Sequence, residues 1–232
     1  MYAGANSATF TITNNCLFTI WLATLRGGRS STSTGFELPP KLPQLSISNF
    51  HGKVDSGQDL NVQQTTGKFI CATGDRGSGQ IPCNGVCWWH PSSFISGITL
   101  ASNSGQDFYD VSLIDGFNLP VSVTSHGGSG DSKTSSCPND VNRICPPNFA
   151  VDGSDGNAIA CKSACFALNQ PEYCCPGSFA SPDKCPLNVY SVIFKNQCPL
   201  AYSYAYDDKT STFTCFGGAK YSITFCPSNN VR

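Results

Sequence analysis

The sequence contains few charged residues, and its acidic residues are almost all of one type. Only 12% of its 232 residues are Asp, Glu, Lys or Arg, which is about half the usual share. Two of the fifteen acidic residues are glutamates, Glu37 and Glu172, and the others are aspartates. Because Glu and Lys favour exposed helices whereas Asp favours turns, this composition argues against coiled coils and helix bundles.

The sequence also lacks a basic excess and a long apolar run. Lys and Arg number 14 against 15 Asp and Glu, which gives a formal net charge of −1. Binding to nucleic acid or to an anionic membrane requires a basic face. No apolar stretch approaches the ~18 residues that span a membrane, and no hydrophobic signal region follows Met1. We therefore expect no nucleic-acid partner and no membrane span.

Cysteine, by contrast, is abundant. The chain has 14 cysteines, and such a density indicates disulfide bonds and an oxidising compartment. Zinc is the alternative, but no paired Cys-x-x-Cys motifs occur, and His51, His90 and His126 are scattered. We expect no metal and no cofactor, and we interpret the chain as the mature form of a secreted protein.

Apolar residues alternate with Ser and Thr in many short segments. Ala8–Thr13 reads Ala-Thr-Phe-Thr-Ile-Thr, which places Phe10 and Ile12 on one face. This pattern predicts half-buried antiparallel strands, and turn signals separate the segments. Many short strands of this kind predict a sandwich or a barrel. The same alternation recurs at Phe18–Leu22, Leu45–Ser48, Ile98–Leu100, Val111–Leu113, Val121–Val123 and Tyr221–Phe225.

The segment from about 136 to 186 has a different pattern. It contains seven cysteines and one predicted helix, Ala158–Asn169, in which apolar residues recur at helical spacing. Cys161 and Cys165 would share one face of this helix and reach different loops. The strand pattern is predicted to resume at Val189–Phe194, so that both ends of the chain would share one sheet system.

Seven ordered motifs, covering about residues 8 to 227, carry a family resemblance. They are Ala8–Cys16, Thr34–Pro40, Cys71–Gly79, Asp107–Pro120, Ala160–Cys175, Tyr202–Cys215 and Tyr221–Pro227. With these motifs the chain resembles the plant thaumatin-like, pathogenesis-related proteins.

The resemblance implies a mainly β fold in a single thaumatin-like domain, residues 1–232. Its antiparallel β-sandwich core would comprise about 8–59, 92–135 and 187–227. A disulfide-rich helical subdomain would occupy about 136–186, and a small loop subdomain about 60–91. An acidic cleft would lie between the core and the disulfide-rich part.

The resemblance also implies a function and a location. The family is associated with plant defence, antifungal action and binding of β-1,3-glucans, and some members are weak glucanases. We accordingly expect a monomer secreted to the extracellular space, the apoplast or the vacuole. Its partner would be a polysaccharide or a small-molecule ligand in the cleft.

The chain departs from the family in its cysteines, because members commonly have sixteen. Cysteines expected at three positions are replaced by Leu60, Arg76 and Ser132, whereas Cys87 is an addition. The resemblance implies five disulfides: Cys16–Cys226, Cys137–Cys198, Cys145–Cys161, Cys165–Cys174 and Cys175–Cys185.

Four cysteines are left over. We predict a local Cys83–Cys87 bridge, with Cys71 and Cys215 as free, buried thiols that behave as small hydrophobic residues. The alternative is a Cys71–Cys83 bond, which would leave Cys87 free.

The family cleft commonly uses an Arg, a Glu and three Asp. Asp110 and Asp115 match two of the aspartates, and Asp207 or Asp208 matches the third. Asp110 and Asp115 are five residues apart, so they cannot share one face of an unbroken strand; a bulge or a turn must intervene if both serve one site. In the alternative interpretation Asp110 is structural and Asp115 caps the Asp-Gly turn.

The two remaining cleft residues have no counterpart here. The Glu position falls on Gly97, and the Arg position falls on Lys53 or Gly57. Glycoside hydrolysis normally needs two carboxyl groups, one of them protonated. Without the glutamate we expect at most weak glucan hydrolysis.

The segment Cys87-Trp-Trp-His-Pro is unusual for the family. Trp88 and Trp89 are candidates to stack on sugar rings or to line an apolar pocket; alternatively, one packs inward and the other covers a loop. His90 is a candidate acid or base, because histidine titrates near neutral pH. A turn residue beside Pro91 is the simpler interpretation. Two functions therefore stay open: a carbohydrate-binding defence protein with little catalysis, or a member whose remodelled cleft binds or transforms a small molecule.

Overall fold

The computed structural model describes residues 8–26, 35–41, 45–50, 53–59, 63–65, 68–70, 73, 95–99, 105–130, 134–217 and 220–227. Most of the predicted small loop subdomain lies outside these ranges. So do several residues singled out in the sequence: Leu60, Cys71, Arg76, Cys83, Cys87, Trp88, Trp89, His90 and Ser132.

The first large sheet contains both ends of the described chain. Its five strands lie in the order β12 (Thr134–Cys137), β11 (Val121–His126), β16 (Lys220–Phe225), β1 (Ala8–Asn14) and β4 (Leu45–Phe50). Phe10 and Ile12 are buried while Thr11 and Thr13 are half-buried, as the alternation predicts. The β1–β16 pair is parallel; the other pairs in this sheet are antiparallel.

The second large sheet has six strands with antiparallel neighbours. Its order is β15 (Phe213–Phe216), β9 (Gln106–Ser112), β8 (Ile95–Thr99), β5 (Lys53–Asp59), β2 (Ile20–Arg26) and β3 (Gly35–Leu38). Three of these strands, β2, β8 and β9, partly overlap the segments of alternating apolar residues, whereas β3, β5 and β15 were not predicted from that pattern.

The two large sheets pack face to face around buried aromatic rings. The rings of Tyr109 in β9 and Tyr221 in β16 lie 5.5 Å apart, edge to face. Both tyrosines are fully buried. The Tyr221 hydroxyl donates to Asp107 Oδ2 at 2.8 Å, and the Tyr109 hydroxyl lies 3.1 Å from Ser125 Oγ. Since buried polar groups must be hydrogen-bonded, these contacts let polar side chains occupy the core. The predicted β-sandwich is confirmed.

Smaller elements complete the fold. A three-stranded sheet contains β10 (Gly116–Phe117), β14 (Ala158–Lys162) and β13 (Ala150–Asp152), and β6 (Gln63–Thr65) pairs with β7 (Lys68–Ile70). The helices are α1 (Ala164–Leu168), α2 (Pro171–Cys174), α3 (Val189–Gln197) and α4 (Asp208–Ser211).

The predicted helix Ala158–Asn169 is wrong in its first half. Ala158–Lys162 forms β14, whose residues pair with β10 on one side and β13 on the other. The helix begins after Ser163, whose side chain accepts a hydrogen bond from the Phe166 backbone N–H. Sheet hydrogen bonding on both sides of the strand thus overrides the helical spacing of its apolar residues.

The predicted strand Val189–Phe194 is also wrong, because this segment is helical. Asn188 begins α3 with a capping box: its side chain accepts from the Tyr190 and Ser191 backbone N–H groups. In return, the Ser191 hydroxyl accepts from the Asn188 N–H. Satisfying these otherwise unpaired N–H groups stabilises the start of the helix.

Five disulfide bonds connect these elements, and they are the pairs that the resemblance implies. Cys16–Cys226 joins the segments that follow β1 and β16. Among the described cysteines, Cys215 is free and buried. The other bonds are Cys137–Cys198, Cys145–Cys161, Cys165–Cys174 and Cys175–Cys185.

No helix in the described ranges has both the length and the apolar character needed to cross a bilayer. Within the same ranges, no group of three or more His, Cys, Asp or Glu residues is placed to hold a metal ion.

Candidate functional site

Strand β9 places Asp110 on the outer face of the six-stranded sheet. Its odd-numbered residues Asp107, Tyr109 and Val111 are buried, whereas the even-numbered ones are half-buried or exposed. Since successive side chains of a strand point to opposite faces, Asp110 lies on the face away from the core. Its carboxylate is therefore on a surface that a ligand can approach.

The strand register places Gly97 directly beside Asp110. Gly97 in β8 is opposite Asp110 in β9 and, on its other side, opposite Asp55 in β5. Lys53, a candidate for the missing arginine, is opposite Thr99. Gly97, which aligns with the family's glutamate, thus lies in one row with two aspartates and has no side chain.

Asp115 lies in a turn and not in the strand with Asp110. Strand β9 ends at Ser112, and the Gly116 N–H donates to the Leu113 carbonyl at 3.1 Å. Gly116 has φ 141°, a backbone conformation that glycine adopts readily. The turn that the five-residue spacing requires is therefore present, and Asp115 is half-buried in it.

A second segment runs beside this turn. The Tyr202 N–H donates to the Val111 carbonyl at 2.8 Å, and the Leu113 N–H donates to the Tyr202 carbonyl at 2.8 Å. These two bonds fix Tyr202 next to the end of β9. The segment that carries Asp207 and Asp208 is thereby brought to the strand that carries Asp110.

Tyr202 connects Asp208 with the surroundings of Asp110. Its hydroxyl donates to Asp208 Oδ1 at 2.8 Å and also contacts Thr212 Oγ1. Burial raises the pKa of Tyr202, and the hydrogen bond to Asp208 and the charges of Asp208 and Asp110 raise it further. Tyr202 therefore stays a neutral hydrogen-bonding group over the physiological pH range. We call Asp110, Tyr202 and Asp208 the acidic group.

Asp207 occupies a different environment from Asp208. It is buried, and its Oδ2 accepts from Lys195 Nζ at 2.8 Å and from the Ser203 N–H and hydroxyl at 3.0 Å each. Its Oδ1 accepts from Thr210 Oγ1 at 3.1 Å. Both oxygens of Asp207 thus accept hydrogen bonds from neighbouring residues of the same segment, whereas the Asp208 side chain is exposed.

A small cavity lies at the two residues that follow Tyr202, and its lining includes Ile114, Tyr173, Ser203 and Tyr204. Its volume of about 20 Å³ holds about one water molecule. Burial raises the pKa of Tyr204, and the charges of Asp207 and Asp208 raise it further. This cavity is too small for a sugar ring.

The structure thus brings Asp110, Asp208 and the turn of Asp115 to one side of the molecule, and it places Asp207 in the interior. Trp88 and Trp89 lie outside the described residues. Sequence reasoning assigned no role to Tyr202 or to Lys195. The motif Tyr202–Cys215 contains the tyrosine, but only the backbone bonds to β9 show which aspartate it contacts.

Comparison with known proteins agrees with this architecture. The model of the thaumatin family matches residues 14–227. The chain is 53% identical over 230 residues to "Thaumatin-like protein 1" from Pyrus pyrifolia, covering 97% of this chain and 93% of the relative. It is 46% identical over 234 residues to "Glucan endo-1,3-beta-glucosidase" from Prunus avium, with the same coverage.

A solved structure shares the fold at low sequence identity. It is a laminaripentaose-producing β-1,3-glucanase in complex with laminaritetraose, with a TM-score of 0.59 and 13% identity. The similarity covers 94% of this chain and 98% of the glucanase chain. From the family match and the extent of identity to its relatives, this chain belongs to the thaumatin family.

Proposed function

We propose that this chain is a secreted, defence-type protein that binds β-1,3-glucan on the outer face of the six-stranded sheet and hydrolyses it little or not at all. The observation that carries the proposal is the register of β8 and β9, in which Gly97 is opposite Asp110. Asp110 contributes a carboxylate on this face, and Gly97, its direct neighbour in β8, contributes none.

The acidic group supplies the polar contacts of the proposed site. Ionised carboxylates accept strong hydrogen bonds, so Asp110 and Asp208 suit the hydroxyl groups of a sugar. We assign the third cleft aspartate to Asp208, because Asp207 is buried and both of its oxygens already accept hydrogen bonds from the protein. Asp115 contributes from the turn that follows β9.

The relatives support a glucan as the ligand. One curated relative is named as a glucan endo-1,3-beta-glucosidase, and the solved β-1,3-glucanase with the same fold holds laminaritetraose. Because the glucanase shares only 13% identity with this chain, it supports the fold and not the choice of ligand. The choice of glucan over a small molecule rests on the curated relative together with the open, acidic face.

The missing acid explains why little hydrolysis is expected. A retaining glycosidase needs two carboxyl groups about 5–5.5 Å apart, one of which holds its proton. Directly opposite residues in an antiparallel sheet have Cβ atoms about 4.5–5.5 Å apart, so the carboxyl group of a glutamate at position 97 would be within reach of the Asp110 carboxyl group. Gly97 supplies no carboxyl group.

The disulfides support secretion. Five bonds connect ten cysteines in the described part of the chain. Bonds of this number persist in extracellular and other oxidising compartments. We propose that the protein acts as a monomer in the apoplast or the vacuole.

The test compares binding with turnover. A β-1,3-linked glucose hexamer is titrated calorimetrically into the wild type, and reducing-sugar release is measured from a soluble β-1,3-glucan. We expect binding with negligible release, and loss of binding in Asp110→Asn. Gly97→Glu should gain hydrolysis, whereas Gly97→Ala, the control for the loss of glycine, should not.

Two outcomes contradict the proposal. Turnover by the wild type at ordinary enzyme rates that Asp110→Asn abolishes would overturn the argument from the missing glutamate. A wild type that binds no glucan but is thermally stabilised by a small molecule, with the effect lost in Asp110→Asn, would support the remodelled cleft instead.

A further inference from the structure

Two large aromatic side chains are exposed on the same sheet face as the acidic group. Phe108 in β9 is 44% exposed and Phe216 in β15 is 43% exposed. Thr214 is directly opposite Phe108, and Phe216 follows Thr214 by two residues on the same face of β15. The two rings are therefore diagonal neighbours, whose backbones lie about 7–8 Å apart in antiparallel strands and whose side chains are within reach of each other. We call Phe108, Thr214 and Phe216 the aromatic strip.

The aromatic strip is held by the backbone around it. Phe216 exchanges two backbone hydrogen bonds with Ser129: its N–H donates at 2.7 Å and its carbonyl accepts at 2.9 Å. A Cβ on Gly130 would lie 3.4 Å from Phe216 Cδ2, so the ring lies close against a residue without a side chain. Phe108 lies in the second strand of the sheet, paired on both sides. Because the backbone that carries each ring is hydrogen-bonded in place, binding a ligand there orders less of the chain, which lowers the entropic cost of binding.

The strip continues directly into the acidic group. Phe108 and Asp110 are two residues apart in β9 and lie on the same face, which separates their Cα atoms by about 7 Å. One end of the face thus offers flat apolar rings and the other offers carboxylates with a tyrosine hydroxyl. Sites for small polar ligands combine aromatic walls with a few well-placed polar groups in this way.

We propose that the aromatic strip is a stacking platform for pyranose rings of a neutral polysaccharide whose neighbouring sugars occupy the acidic group. This inference rests on the proposed glucan binding and extends it along the sheet. A pyranose ring has an apolar C–H face that matches an aromatic ring and equatorial hydroxyls that match carboxylates. The net charge of −1 and the adjacent carboxylates disfavour an anionic lipid surface or nucleic acid.

The test is affinity as a function of chain length. β-1,3-linked glucose oligomers of two and six units are titrated into the wild type, Phe108→Ala and Phe216→Ala. We expect each variant to bind the hexamer about three- to tenfold more weakly, as aromatic contacts of this size imply, and the dimer unchanged. Asp110→Asn should weaken binding of both oligomers, because the acidic group contacts either one.

Two further variants serve as controls. Phe216→Leu keeps an apolar side chain but has no flat ring, so it should bind the hexamer as weakly as Phe216→Ala. Phe166→Ala removes a 40% exposed ring from α1, which is not part of the six-stranded sheet, and should bind like the wild type. Thermal unfolding of each variant establishes that it is folded.

The failures of the two proposals can be told apart. If the wild type binds the hexamer and Phe216→Ala and Phe108→Ala bind it equally well, the stacking platform is wrong and glucan binding stands. If Phe216→Leu binds like the wild type, the contact is apolar burial and stacking is refuted. If the wild type binds neither oligomer, the proposed function fails and the platform fails with it.

Discussion

Adjacent residues of one type can have different roles in this protein, and Asp207 and Asp208 are the plainest case. The buried Asp207 carboxylate forms an ion pair with the half-buried Lys195, whose Nζ also donates to the Ala201 carbonyl at 3.1 Å and to Ser211 Oγ at 2.9 Å. Asp208 begins α4 at the surface and accepts from Tyr202. The sequence alone left these two aspartates as alternatives, because only their burial and partners distinguish them.

This difference predicts that the same substitution lowers stability at position 207 and glucan binding at position 208. Asp207→Asn leaves the half-buried Lys195 without a counter-charge and should lower the free energy of unfolding by about 1–3 kcal/mol, less than the loss from breaking a fully buried pair. Asp208→Asn should change it by no more than about 0.5 kcal/mol but weaken glucan binding. Guanidinium unfolding and calorimetric titration measure the two effects. Equal loss of stability in both variants would refute the assignment.

At the scale of elements, the local pattern of apolar residues locates some strands of the two large sheets but fails for the short helices. Strand β1 is predicted almost to its last residue because alternating apolar side chains must face one core. Val189–Phe194 also contains apolar and β-branched residues, yet its end groups make it helical, since Asn188 and Ser191 form a capping box. The site follows the same rule: Asp110 was identifiable from its motif, but its place opposite Gly97 depends on long-range register.

The capping box therefore gives a direct test of why α3 is a helix. Asn188→Ala removes the acceptor for two backbone N–H groups and should lower the free energy of unfolding by about 1 kcal/mol. Asn188→Asp or Asn188→Ser should keep most of that stability, because each retains a capping oxygen. Denaturant unfolding with circular dichroism detects the change. Full stability in Asn188→Ala would mean that packing alone determines the helix.

At the scale of the whole molecule, the first and the last described strands are neighbours in the five-stranded sheet. Strands β1 and β16 pair in parallel, and the Asn15 N–H donates to the Phe225 carbonyl at 3.1 Å. Cys16 and Cys226, the next residue in each segment, form a disulfide bond that joins residues 210 positions apart. Because β1 and β16 lie near opposite ends of the chain, their pairing depends on long-range contacts. The disulfide keeps the two segments near each other in the unfolded chain.

Removing this bond should therefore cost more than removing a bond that closes a short loop. In the chain-entropy model, the double variant Cys16→Ser with Cys226→Ser loses about 5 kcal/mol, which is an upper limit because unfolded chains retain some structure. Cys165→Ser with Cys174→Ser opens a loop of sequence separation 9 and should lose about 2.5–3 kcal/mol in the same model. Serine replaces both partners so that no new thiol is introduced. Guanidinium unfolding under non-reducing conditions compares the variants, and a larger loss from the short loop would show that native packing around the bond, and not constraint of the unfolded chain, determines its contribution.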